Sequence, residues 1–115
     1  VFTTPEVGSV GLTEAAGLQR HADIDIYSSS FRPMKATLTG SAERTLMKLV
    51  VQRGSGRVLG CHIVGADAAE MIQLIAIALT LNATKTGFDA TLAVHPTAAE
   101  ELVTMRVPTR RHGTT

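Results

Sequence analysis

The residues best suited to chemistry lie near the end of this 115-residue chain, where a histidine precedes a helix start signal. Pro96 and Thr97 follow His95, and Thr97 with Glu100 fits the S/T-x-x-E capping box of a helix N-terminus. A carboxylate at that position can reach back to the imidazole, orient it and stabilise its protonated form. The pair therefore fits a general acid–base, but the spacing alone favours the more common alternative, an ordinary helix cap beside an ordinary histidine.

Two other motifs favour structural roles over chemistry. Gly54 and Gly56 have the wrong spacing for a dinucleotide-binding loop and are followed by a strand rather than a helix, so we predict a hairpin turn. Cys61 and His62 point to opposite faces of a strand and cannot hold the same metal ion. Cys61 is the single cysteine, which excludes an intrachain disulfide, a cysteine zinc site and an internal dithiol. We predict that Cys61 is a small core residue and that the chain binds no metal.

The end of the chain is basic and has no hydrophobic periodicity. Its cationic residues could contact a phosphate group or an acidic partner; they are Arg106, Arg110, Arg111 and His112. Basic termini of this kind are more often solvated than bound. We therefore predict one domain over residues 1–106 and a flexible C-terminal tail over residues 107–115.

The composition is that of a globular domain with a hydrophobic core. Hydrophobic residues make up 44% of the chain, charged residues 18%, and the formal net charge is +1. Aromatic residues make up 3%, too few for stacking on nucleic acid, and the longest apolar run, residues 71–81, is too short to span a membrane. No basic and apolar leader opens the chain, and its first residue is Val1. We expect a piece of a longer protein, without nucleic-acid or membrane partners.

The elements that must position these residues include a predicted hairpin. Residues 44–52 and 57–64 are rich in β-branched and aliphatic side chains and flank the glycine turn. Residues 23–27 alternate polar and apolar side chains, which predicts a half-buried strand. The serines at 28–30 and Pro33 predict an irregular segment after that strand.

Short helices are predicted near both ends of the chain. Residues 13–16 can open a helix that Gly17 weakens or ends. Residues 82–89 are predicted as a loop, and the last helix follows the entrance at His95. Together with the strands, these elements predict an α+β fold class, an antiparallel β-sheet with helices packed on one face.

A longer helix is predicted after the hairpin. Asp67 fits its N-cap, and Glu70 fits the residue that reaches back in a capping box. Residues 71–81 are apolar nearly all round the helix, so one core cannot cover every side of it. We expect another subunit or another domain to cover the remaining side, since small domains leave much of each element exposed.

Several motifs resemble the C-terminal dimerisation domain of the glutathione reductases, in class I of the pyridine nucleotide-disulfide oxidoreductases. The most specific is residues 95–106, which carry His-Pro-Thr-x-x-Glu-Glu and continue Leu-Val-Thr-Met-Arg. Lipoamide dehydrogenase has a related version of the first part. Supporting segments are residues 2–14, 27–34, 82–85 and 88–91. The similarity covers residues 1–106, and trypanothione reductase is the main alternative assignment.

The resemblance implies a fold and a set of roles. Domains of this family are antiparallel sheets flanked by helices, and in the intact homodimer each domain completes the partner subunit's active site. His95 would be the acid–base that protonates the leaving glutathione thiolate, with Glu100 as its carboxylate partner. The other implied site residues are Phe31, Met34, Glu101 and Thr104 around glutathione disulfide, and His95 with Pro96, joined by a cis peptide, beside the flavin of the other subunit.

The resemblance also implies what the chain lacks. The redox-active cysteine pair and the binding fingerprints for FAD and NADPH belong to other parts of the enzyme, so both cofactors are expected in the intact enzyme and neither on this chain alone. We therefore predict a domain of an FAD-dependent NADPH:glutathione-disulfide reductase that is inactive in isolation. The alternatives are the same domain from trypanothione reductase or another flavin disulfide reductase, and a non-enzymatic binding module. One cysteine and no secretory signal favour the cytoplasm.

Overall fold

The computed structural model describes residues 6–32 and 44–113, which form one antiparallel sheet and its helices. In chain order the elements are β1 (Val7–Gly11), α1 (Glu14–Arg20), β2 (Ile24–Phe31), β3 (Thr45–Gln52), β4 (Val58–Val64), α2 (Ala68–Thr80), α3 (Lys85–Ala90), a 3-10 turn (Ala98–Glu100), α4 (Glu101–Thr104) and β5 (Arg110–His112). The strand order is β1-β4-β3-β2-β5, with every neighbouring pair antiparallel. The predicted α+β fold class is confirmed.

The predicted hairpin forms the centre of the sheet and is also confirmed. β3 pairs with β4 so that Leu49 lies opposite Cys61. Gly56 in the connecting turn has a φ of 74°, a left-handed conformation that glycine adopts without steric cost. Cys61 is fully buried in the core, as predicted. His62 lies on the other face, where its Nδ1 is 2.9 Å from Ser9 Oγ.

Most of the apolar core lies on one face of the sheet. Three helices, α2, α3 and α4, cover that face through Ala68, Ile72, Phe88 and Leu102. A smaller cluster on the opposite face contains Ile24, Ile26 and Val50. α1 packs against this second cluster, since a Cβ placed on Gly17 would lie 3.2 Å from Val50 Cγ1. The helices therefore pack mainly on one face, and α1 is the exception.

Two predictions about helix ends are wrong. α1 continues past Gly17, because this glycine lies inside the helix and is buried against the sheet. Asp67 precedes α2 in a left-handed conformation, with a φ of 64°, and its side chain makes no capping hydrogen bond. The Glu6 carboxylate instead accepts the Ala69 N–H at 2.7 Å. A residue from before β1 thus caps α2, which a local pattern could not indicate.

Two segments predicted as irregular are regular. Residues 28–30 continue β2 because each one pairs with β3, as Ser28 does with Lys48. That pairing outweighs the weak preference of serine for strands, since strand preference depends strongly on context. The second segment is the predicted loop over 82–89, where α3 forms instead. Thr84 caps α3 by accepting the Gly87 N–H at 3.1 Å.

The prediction of a flexible tail is wrong for residues 110–112, which form β5 beside β2. The Arg110 guanidinium donates to Glu14 of α1, with Nε 2.8 Å from Oε2. Arg111 Nε lies 3.6 Å from Asp25 Oδ1 of β2. Carboxylates far away in sequence therefore hold this strand, and the acidic groups that these arginines contact lie within the chain itself.

The outer face of α2 is apolar and uncovered within the part of the chain that the structure describes. Leu74, Ile77 and Leu81 are 67%, 55% and 74% exposed, and their spacing places them along one stripe. These exposures agree with the expectation that the helix needs cover from outside the domain. None of the helices in residues 6–32 and 44–113 has the length and apolar character needed to cross a bilayer.

Candidate functional site

A histidine and a carboxylate meet where the last helical segment begins. His95 Nδ1 lies 3.0 Å from Glu100 Oε1 and 3.2 Å from Glu100 Oε2. The capping box is present, and the Thr97 N–H donates to Glu100 Oε2 at 3.4 Å. Thr97 also donates its hydroxyl to the Val94 carbonyl at 2.7 Å, and the His95–Pro96 peptide is cis. One carboxylate therefore caps the helix and contacts the imidazole at the same time.

The electrostatics of the pair favour an ionised carboxylate beside an accessible imidazole. The hydrogen bond with His95 is the largest cause that lowers the pKa of Glu100 below its ordinary value, and the Thr97 N–H adds to it. Desolvation acts in the opposite direction and is outweighed. The His95 side chain is 69% exposed, and its Nε2 makes no hydrogen bond with any residue that the structure describes. With Nδ1 directed at Glu100, Nε2 is the nitrogen that can exchange a proton with a bound molecule.

Three of the other candidate residues lie around the junction of β2 and α4. The Ser29 hydroxyl donates to Glu101 Oε2 at 2.6 Å. Phe31 lies two positions further along β2, on the same face as Ser29, and packs against the main core. Thr104 is exposed, and its hydroxyl donates to the Glu101 carbonyl at 3.3 Å. The fourth candidate, Met34, lies outside the described residues.

Lys85 is a buried lysine near the end of α4 that the sequence patterns did not indicate. Lys85 Nζ donates to the Met105 carbonyl at 2.5 Å, forms an ion pair with Asp89, and lies 4.3 Å from the centroid of the Tyr27 ring. It thus connects α3 and β2 to the end of the helix that carries Glu101. Burial is the largest cause that raises the pKa of Tyr27, with the Asp25 and Asp89 charges adding to it. The only local signal was the spacing of Lys85 and Asp89, four residues apart on a helix.

A second histidine–carboxylate pair lies at the other side of the sheet. Glu14 Oε2 is 2.6 Å from His112 Nε2, and Glu14 also accepts from Lys48 Nζ at 2.8 Å and from Arg110. These hydrogen bonds lower the pKa of Glu14 well below its ordinary value, and the bond with Arg110 has the largest effect. Burial acts in the opposite direction and is outweighed. This carboxylate is surrounded by cations and holds β5 against α1 and β3.

The described residues offer no other obvious chemistry. Within residues 6–32 and 44–113, no three His, Cys, Asp or Glu side chains come close enough together to hold a metal ion. Burial raises the pKa of the Cys61 thiol to about 12. A buried thiol of that kind is an inert core group rather than a nucleophile.

Comparison with known proteins adds a family and several relatives. The family described as the pyridine nucleotide-disulphide oxidoreductase dimerisation domain matches residues 1–106. Glutathione reductase from Burkholderia cepacia is 58% identical over 106 residues, which cover 92% of this chain and 24% of that protein. The chloroplastic/mitochondrial glutathione reductase of Pisum sativum is 51% identical over 111 residues, covering 96% of this chain and 20% of that protein. Trypanothione reductase from Leishmania donovani is 37% identical over 109 residues, which cover 94% of this chain and 22% of that protein. The chain therefore spans between a fifth and a quarter of the length of these relatives.

Proposed function

The chain belongs to the dimerisation-domain family of the pyridine nucleotide-disulphide oxidoreductases, and we propose that it serves an FAD- and NADPH-dependent glutathione-disulfide reductase. The resemblance drawn from its motifs is confirmed by that match and by glutathione reductases that are 58% and 51% identical. We propose further that two copies associate and that each supplies His95 and Glu100 to the partner subunit's active site. The contact of His95 Nδ1 with Glu100 at 3.0 Å, which leaves Nε2 exposed, carries this proposal.

The proposed chemistry is proton transfer during thiol–disulfide exchange. A thiolate from the redox cysteine pair of the rest of the protein attacks one sulfur of glutathione disulfide, and the S–S electron pair leaves with the other glutathione as a thiolate. Protonated His95 gives its Nε2 proton to that thiolate, which departs as a thiol. The neutral imidazole can then accept the proton of the second thiol of the pair as that sulfur attacks the cysteine sulfur of the mixed disulfide. The bond to glutathione breaks, and the second glutathione leaves as a thiolate that takes up this proton. Glu100 accepts the hydrogen bond from Nδ1 throughout and so fixes the orientation of the imidazole ring.

We propose that the cofactors lie beside this chain in the intact protein and are not bound within it. FAD and NADPH supply the electrons that regenerate the cysteine pair, and we propose that they are bound mainly by the rest of the protein. The glycines at 54 and 56 form a hairpin turn, which supports this assignment. His95 and Pro96 are proposed to face the flavin of the other subunit. The segment that carries them exposes Leu92 and Val94, at 87% and 66%, which supports contact with a surface outside the chain.

The substrate is proposed to contact Phe31, Met34, Glu101 and Thr104. Glu101 follows Glu100 directly, and Ser29 fixes its carboxylate at the end of β2 near Phe31, so these groups lie on the same side of the sheet. Glutathione disulfide is the proposed substrate because the more similar relatives are named glutathione reductases. Trypanothione disulfide is the second candidate, since a trypanothione reductase is 37% identical. The proposed location is the cytoplasm, a reducing compartment that suits a lone buried thiol.

Self-association is proposed to use the exposed stripe of α2. Leu74 and Ile77 would expose apolar area in a monomer, and a second copy of the chain would cover it. Sedimentation of the 115-residue chain should show a dimer. Changing both residues to Glu should raise the dissociation constant about a hundredfold or more, because charges would enter an apolar contact. Val107→Glu, a change at an exposed position outside this stripe, is the matched control. A chain that stays monomeric at high concentration would contradict this surface.

The enzymatic proposal is tested with a chimera in which this chain replaces the matching segment of the Burkholderia cepacia glutathione reductase. The chimera should reduce glutathione disulfide with NADPH, and it should prefer that substrate to trypanothione disulfide. The 115-residue chain alone should give no turnover, because its single thiol is buried. A chimera that dimerises and retains FAD but reduces neither disulfide would favour the non-enzymatic binding module.

A further inference from the structure

A cleft lies away from the His95 site, where the end of α1, the hairpin and the last turn of α2 meet. Its volume is about 450 Å³. That volume falls within the range of small-molecule sites, roughly 300–1,000 Å³. Val58, Leu59 and Leu79 form part of an apolar wall. No residue of the proposed catalytic pair or its surroundings lines this cleft, so its role is independent of the proposed function.

The polar part of the cleft is cationic. It is lined by Arg20 at the end of α1, by His21 next to it, and by Arg57 directly before β4. No carboxylate is among its lining residues. Neither Arg20 nor Arg57 forms an ion pair with a residue that the structure describes.

Shielded cations of the described chain, in contrast, are neutralised locally. Lys48 pairs with Glu14, and Lys85 pairs with Asp89. The charges of the two cleft arginines are uncompensated by comparison, and they face a concave surface that concentrates positive potential. Guanidinium groups recognise phosphate and carboxylate groups through paired N–H donors, and the apolar wall beside them requires a partner that is not entirely polar.

We propose that this cleft binds a small organic anion that joins a phosphate or carboxylate headgroup to an apolar body. The headgroup lies between Arg20 and Arg57, and His21 is in position to add a hydrogen bond. The apolar body lies against Leu59 and Leu79, which are half-buried. Charge attraction and apolar burial act together in this arrangement, so neither an inorganic anion nor an apolar cation is a sufficient ligand.

Calorimetric titration of the 115-residue chain with four probes tests the site. Hexyl phosphate and hexanoate carry both features, inorganic phosphate lacks the apolar body, and hexylamine carries the opposite charge. We expect saturable binding of at least one of the first two, with inorganic phosphate about tenfold weaker or more, because it buries no apolar area. Hexylamine should not bind. The stronger of the two organic anions identifies the preferred headgroup.

Variants at the two arginines locate the binding. The double change Arg20→Gln and Arg57→Gln should weaken the affinity for the bound anion about tenfold or more, since hydrogen bonds to charged groups are lost. Arg106→Gln removes an exposed arginine outside the cleft and should change affinity less than about twofold. Both arginines are exposed, so the thermal midpoint of unfolding should not change in the double variant. If the double variant does unfold, the single variant Arg57→Gln takes its place in the binding measurement. Absence of binding by both organic anions, equal binding of inorganic phosphate, or equal weakening by Arg106→Gln would overturn the proposal.

Discussion

Two histidine–carboxylate pairs occur among the residues that the structure describes, and their surroundings differ. In the first, His95 lies 3.0 Å from Glu100, and within residues 6–32 and 44–113 that carboxylate has only the Thr97 N–H as a further donor. In the second, His112 lies 2.6 Å from Glu14, and that carboxylate also holds Lys48 and Arg110. The His95 side chain is 69% exposed and that of His112 is 33% exposed.

The difference shows that a short contact between histidine and carboxylate does not by itself identify an acid–base. Glu14 pairs with the charges of Lys48 and Arg110, and its contacts with Arg110 and His112 hold β5 in place. Glu100 has no Lys or Arg partner among the described residues, and the imidazole that it orients keeps an accessible nitrogen. We therefore expect changes at the first pair to alter turnover and changes at the second to alter stability.

The largest expected effect is on turnover at His95. His95→Gln in the chimera with the Burkholderia cepacia reductase should lower glutathione-disulfide turnover by about a hundredfold or more, the usual contribution of a general acid–base. His112→Gln should keep turnover within about twofold, because glutamine can still donate to Glu14. Steady-state assays of both variants decide the matter, and equal losses at the two histidines would remove the distinction between the pairs.

Lys85 extends the comparison to a charge that is fully enclosed. Lys85→Met should lower the free energy of unfolding by about 3 kcal/mol, because Asp89 and the Met105 carbonyl lose a buried donor. Lys48→Met, at a more exposed ion pair, should cost at most about 1 kcal/mol. Urea unfolding of the 115-residue chain measures both. A smaller loss at Lys85 than at Lys48 would contradict the proposed anchoring of α4.

The two carboxylates should differ in the same assay. Glu14→Gln should cost about 1–2 kcal/mol, because Lys48, Arg110 and His112 lose a shared carboxylate in a partly buried setting and the amide keeps only one acceptor oxygen. Glu100→Gln lies at an exposed pair, and its effect on unfolding should be much smaller. If Glu100→Gln destabilised the chain as much as Glu14→Gln, the first pair would be structural as well.

The acid dependence of stability should come largely from Glu14. Its pKa is lower in the folded chain than its ordinary value of about 4.3, so the unfolded chain takes up the proton at higher pH. The stabilisation is complete above that ordinary value and is lost as pH falls through and below it. The difference in unfolding free energy between wild type and Glu14→Gln should therefore shrink as the pH is lowered from 6 to about 3. A difference that stayed constant with pH would contradict the assignment.

Local patterns predicted much of the fold but only part of the site. The hairpin and α2 follow from β-branched runs and a long apolar segment, and the capping box placed Glu100 beside His95. β5 depends on Glu14 and Asp25, which lie more than eighty residues earlier in the chain, so its own three residues carried no signal. Lys85 was missed because its partners, a helix-end carbonyl and an aromatic ring, come together only in the folded domain.

The claim that each subunit supplies His95 to its partner is tested most directly by mixing two inactive chimeras. One carries His95→Gln, and the other has serine in place of its redox cysteine pair. If His95 acts across the interface, each mixed dimer contains one complete site. Random mixing should then restore about a quarter of wild-type turnover, since about half of the dimers are mixed and each has one of two sites intact. Turnover no higher than that of the two parents, in dimers shown to have exchanged subunits, would contradict the account.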